Sequence, residues 1–133
     1  MKKGNTVLKK KKKPNADSNE YSSKPRSVEE ICELREKFCD LVWYNRHHGL
    51  LYRIQKGKLK ICDMNSGSCG KECDYNKNIC ADIYKSACKS AKEVEKKYPG
   101  ECGPWDDFEW GMVNGKLSAL RWVLGDEWDF LDT

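Results

Sequence analysis

The sequence predicts a mainly α fold: a small three-helix bundle with a central C-terminal helix, a short β-hairpin near residues 50–62 and a disordered N-terminal tail. Three observations carry that expectation. At Ser27 and again at Asp106, a side chain suited to capping a helix is followed three residues later by a glutamate. Apolar residues recur at helical spacing behind both positions and along 80–98. Residues 1–26, by contrast, hold nine Lys/Arg against Asp17 and Glu20 and almost no apolar side chains, so they bury too little surface to offset the entropy of ordering. The expected organisation is a lysine-rich tail over 1–26 and one helical domain over 27–133, with a cysteine-containing loop at 62–80.

The first helix is expected to start at the capping box Ser27-Val28-Glu29-Glu30 and to run to about Asn45, with Ile31, Leu34, Phe38, Leu41 and Val42 on one face. Leu50-Leu51-Tyr52-Arg53-Ile54 and Leu59-Lys60-Ile61-Cys62 flank a glycine-containing turn at Gly57, which reads as a hairpin, with a helical continuation as the alternative. Residues 63–79 are rich in Asn, Asp, Ser and Gly and read as a loop. The second helix is expected over about Asn78 to Lys97, ending at Pro99-Gly100. Its apolar stripe has a narrow centre at Ala87 and Ala91.

The third helix is specified most fully. Asp106 to Glu109 form its cap and Gly125 its stop. Residues 104–133 hold four of the five tryptophans and two of the three phenylalanines. On the helical wheel Trp110, Val113, Leu117, Leu120 and Leu124 form one apolar face. Phe108, Gly111, Met112, Gly115, Ala119, Trp122 and Val123 form the opposite one. A helix apolar on both sides is expected to be sandwiched, and the ladder Gly111, Gly115, Ala119 is expected to receive the Ala87, Ala91 surface.

Charge and cysteine usage bound the function. The net +4 divides into a basic tail and a mildly acidic body, since residues 27–133 carry sixteen Lys/Arg against nineteen Asp/Glu. The start lacks the apolar core of an export signal and no stretch is apolar enough to span a membrane, so a cytoplasmic, reducing setting is expected for the eight cysteines. Cys62, Cys69, Cys73 and Cys80, separated by six, three and six residues, have the donor chemistry of a structural zinc site. Unliganded thiols and disulfides are the other two readings of the same residues.

No Walker loop, dinucleotide fingerprint, Gly-x-Ser-x-Gly or His-Glu-x-x-His is present. Seven acidic residues lie between Asp106 and Asp132, but the third helix separates them into two groups about 28 Å apart. A Cys/His nucleophile could be assembled from Cys39 or Cys62 with His47 or His48.

The expectation that follows is a non-enzymatic module binding a protein partner. Its contact residues would be the polar line Asp107, Asn114, Ser118 and Arg121 and the acidic coda Asp126, Glu127, Trp128 and Asp129. The alternative is a zinc-containing, nucleic-acid-associated protein using the basic tail 1–26 and the cysteine loop, and the second alternative is an enzyme with an unrecognised site.

The stretch from Asp107-Phe108-Glu109-Trp110-Gly111-Met112, through Asn114-Gly115-Lys116 and Leu120-Arg121-Trp122, to Gly125-Asp126-Glu127-Trp128 resembles the ending of a family of short uncharacterised bacterial and archaeal proteins. The likeness extends more weakly over Asp82 to Tyr98 and around Trp43 to His47. The resemblance implies a prokaryotic or phage-like setting and brings no assigned activity. The cysteine loop and the lysine tail depart from the shared pattern.

Overall fold

Ser27 opens the first helix as its spacing predicts. Its Oγ accepts the Glu30 amide at 3.2 Å, and the Glu30 carboxylate accepts the Ser27 amide at 2.9 Å, so two otherwise unpaired donors are satisfied. The computed structural model describes residues 24–63 and 74–128. The tail expected over 1–26 lies outside the described residues as far as residue 23, and Arg26 already pairs with Glu30 at 3.4 Å.

Helix α1 spans Val28–Gln55, ten residues beyond its expected end. The two histidines do not stop it, because His47 is buried against Trp43 and the half-buried Leu50, Leu51 and Ile54 continue the helical spacing. Gly57 is the true terminator. At φ +70° it adopts the left-handed conformation, and the Lys58 and Leu59 amides turn back to the Arg53 carbonyl at 2.9 and 3.2 Å. The hairpin expected at 50–62 is therefore absent: its first arm is helix, and its turn glycine ends that helix.

The second arm does form a strand, with a distant partner. Strand β1 (Lys60–Cys62) pairs in parallel with β2 (Asn78–Cys80), in the register Lys60 to Asn78, Ile61 to Ile79 and Cys62 to Cys80. A parallel pair needs a long crossover, here residues 63–77. Asp74 positions its end: the Asp74 carbonyl accepts the Lys77 and Asn78 amides at 2.9 Å, and the Lys60 amide closes on the Lys77 carbonyl at 2.9 Å.

Helix α2 (Ala81–Lys97) starts directly after β2 and stops before Pro99 and Gly100, the latter at φ +76°. Its buried Ala91 and Val94 pack on Tyr44 of α1, with Tyr98 and Cys102 against the same cluster. Polar links hold the edges. Tyr44 donates its hydroxyl to Glu95 at 2.6 Å, Asp40 accepts Lys97 at 3.1 Å and Tyr98 at 3.2 Å, and Lys37 pairs with Glu101.

Helix α3 (Asp107–Val123) begins at a second capping box, with Asp106 accepting the Glu109 amide at 2.8 Å and Glu109 accepting the Asp106 amide at 3.0 Å. It lays Leu117, 2% exposed, against α1, whose Leu41 and Val42 are buried. The mainly α, three-helix fold expected from the sequence is the fold observed. Its hub differs from the expected one. α1 packs against both α2 and α3, which scarcely meet, so α1 and not the C-terminal helix is central. Both neighbours meet the same stretch of α1: α2 and the turn after it reach Lys37, Asp40 and Tyr44, and Lys116 of α3 lies over Phe38. No helix of the described residues is long and apolar enough to cross a membrane.

Candidate functional site

The second apolar face of α3 is where the structure departs most from the sequence reading. A Cβ added at Gly111 or Gly115 meets no described atom within 4 Å, so the ladder Gly111, Gly115, Ala119 does not receive α2. Ala91 is spent on Tyr44 instead. The face is left open to solvent: Phe108 is 76% exposed, Val123 56%, Trp122 51% and Met112 46%. Between Phe108, Met112 and the small residues runs a shallow groove of about 560 Å³, lined also by Asp107, Lys116 and Ala119. The Nζ of Lys116 lies 5.9 Å from the Phe38 ring of α1.

The end of the chain returns to this face. Gly125, at φ +110°, breaks the helix, and the Asp126 amide donates to the Arg121 carbonyl at 3.0 Å. Arg121 Nε donates to the Asp126 carboxylate at 2.6 Å, which clamps the turn. The clamp sets Trp128, 62% exposed, edge-on to Trp122 with ring centroids 5.1 Å apart. One continuous aromatic and aliphatic strip results, from Phe108 at one end of α3 to the Trp122–Trp128 pair at the other.

The residues expected to contact a partner take several places. Asp107 is exposed at the start of the strip. Asn114 and Ser118 are half-buried, and Asn114 donates its Nδ2 to the Trp110 carbonyl at 2.8 Å. Arg121 and Asp126 form the clamp, Glu127 and Trp128 are exposed, and Asp129 lies outside the described residues. Carboxylates thus stand at both ends of the strip, with Asp106, Asp107 and Glu109 at the helix start and Asp126 and Glu127 past its end. The contact candidates that the sequence reading passed over are Phe108, Met112, Gly115 and Trp122, which it assigned to packing. Their periodicity was visible, but periodicity does not say what covers a face.

Of the four cysteines expected to bind zinc, Cys62 and Cys80 are register partners on the β1–β2 ladder, while Cys69 and Cys73 lie outside the described residues. Among the described residues no group of three or more metal-ligating side chains comes together. None of the six described cysteines is in a disulfide.

The Cys/His arrangement is not assembled from Cys39 and His47, which sit eight residues, about 12 Å, apart along α1. Burial pushes the Cys39 thiol up, and the nearby Arg35 and Arg121 only partly oppose it. Cys102 shares a pocket of about 340 Å³ with Tyr44, Asn45 and His48. Cys102 donates to the Tyr98 carbonyl at 3.4 Å, and burial, then Glu95 and Glu101, push its thiol up. A thiol held protonated in this way is a poor nucleophile.

No protein family, curated protein or solved structure matches the chain.

Proposed function

We propose that the chain is a non-enzymatic interaction module that docks an amphipathic helix of a protein partner on the open face of α3. The observation that carries this reading is the exposed strip Phe108, Met112, Trp122, Val123 and Trp128 around a glycine groove, since contiguous apolar surface of this kind marks contact sites. The groove admits close approach of a helix backbone, and the aromatic residues at its ends supply anchors. Charge selects the occupant. The strip is acidic at both ends, so the matching helix carries Lys or Arg on either side of its apolar stripe. A second copy of this chain would set acid against acid in either orientation. The cytoplasmic setting expected from the sequence belongs to the same proposal.

Zero-length carbodiimide cross-linking in native lysate tests it, because that chemistry joins carboxylates to lysine amines. The reading predicts cross-links from Asp106, Asp107 or Glu127 to lysines flanking an amphipathic helix in one partner, lost in Gly115→Arg and in Met112→Glu. Cross-linked partners retained at full yield in both variants would overturn it.

A second reading, association with nucleic acid, is favoured by one observation outside the lysine tail. Lys85, Lys89, Lys92 and Lys96 fall at spacings of four, three and four on α2, all exposed, and form a single cationic row. Retention on DNA or RNA that falls steeply with salt, and whose salt slope drops when the four become glutamine, would favour this reading over the first.

A further inference from the structure

We infer that Cys62 and Cys80 are two ligands of one zinc ion, the remaining coordination positions being filled from outside the pair. This goes beyond the docking reading and does not rest on it. The geometry is that of the parallel ladder. The two residues are directly opposite in register, so their side chains leave the same side of the sheet from strands about 4.8 Å apart. Two thiolates on one tetrahedral zinc, each at about 2.3 Å, stand about 3.8 Å from one another, which neighbouring strands supply with ordinary rotamers. Cys62 is 6% exposed and Cys80 half-buried, so the pair is sheltered from solvent.

A further observation favours thiolate at this place. Cys80 is the N-cap of α2, but its side chain makes no capping hydrogen bond, so the sulfur sits at the positive end of a 17-residue helix dipole, where negative charge is favoured. The ladder itself is three residues long and two strands wide, and it rests on α2. It is closed by the fifteen-residue crossover 63–77, whose sequence is polar apart from Met64, Cys69, Cys73 and Tyr75, and Tyr75 is 80% exposed. A metal cross-link between the two strands would add to the packing on α2 by closing the long crossover. The chemistry selects a borderline-soft ion, since thiolates suit zinc and the hard cations take oxygen. On binding, each thiol releases its proton to solvent and its sulfur donates a lone pair to the metal, with no change of oxidation state.

The test uses reduced full-length protein loaded with zinc and titrated with a chromogenic chelator. One tightly held zinc per chain is expected. Cys62→Ser and Cys80→Ser each weaken it by more than about 100-fold, beyond the loss caused by removing an outer-shell partner, while Cys32→Ser and Cys88→Ser leave it unchanged. In the unsubstituted chain, zinc slows alkylation of Cys62 and Cys80 and not of Cys32 or Cys88, a readout independent of how the variants fold. The inference is overturned if no zinc is held, if binding survives either ladder substitution, if alkylation at Cys62 and Cys80 ignores zinc, or if a Cys62–Cys80 disulfide forms in its presence.

Discussion

Replacing Gly111 and Gly115 by alanine separates the two accounts of α3 by sign. Both glycines lie inside the helix with helical backbone angles, and a Cβ at either meets no described atom within 4 Å. With no steric cost, only helix propensity and the unfolded chain's entropy remain, and each Gly→Ala change is worth about 0.8–1.0 kcal/mol. The double variant should therefore gain about 1.6–2.0 kcal/mol if the sites add. At about 4–8 °C per kcal/mol for a domain of this size, its midpoint rises by roughly 10 °C. Urea and thermal unfolding of the full-length chain, followed by far-UV circular dichroism, measure this directly. A packed glycine ladder predicts the opposite, because the added methyl groups would force a neighbouring helix away. Loss of stability in either single variant would refute the open face and the docking argument built on it.

Further outcomes follow from the interior and its titrating groups. Leu117→Ala, at a side chain 2% exposed between α1 and α3, should cost about 2–5 kcal/mol in urea unfolding. The Tyr44 hydroxyl is pushed up to about 12 by burial and by its bond to Glu95. Its stabilising contribution is complete below about pH 10 and is lost as pH rises through the folded value, so Tyr44→Phe should remove that part of the alkaline loss of stability. Burial, and then His48, lower His47. Its neutral form stabilises the fold above about pH 6.5, and that contribution is lost as pH falls through the lowered folded value, so wild type should lose stability below pH 6.5 more steeply than His47→Gln.

Local chemistry made much of the fold legible. The capping boxes at Ser27 and Asp106 and the stops at Gly100 and Gly125 are short-range devices, and each stands where residue type and spacing put it. Gly57 was legible as a breaker but not as the end of a helix, because a left-handed glycine serves a hairpin turn and a helix terminus alike. The ladder was beyond reach for another reason. Two three-residue strands carry no periodicity, and a parallel register across a fifteen-residue crossover is a tertiary fact. The spacing of Cys62 and Cys80 hinted at a shared site without saying that the backbone would bring them side by side. On α3 the apolar pattern shows which surfaces avoid water but not which of them finds a cover: α1 covers one stripe and α2 does not reach the other. The lysine row on α2 stands in the sequence at helical spacing, but interspersed Asp and Glu leave the body's net charge acidic, so a charge count does not show it.

Hydroxyl-radical footprinting of the full-length protein, alone and then with its cross-linked partner, tests the central claim most directly. The account predicts heavy labelling of Phe108, Met112 and Trp122 in the protein alone and protection of all three in the complex, with the half-buried Trp110 on the opposite face unchanged. Protection of those residues in the protein alone, or undiminished labelling in the complex, would contradict it.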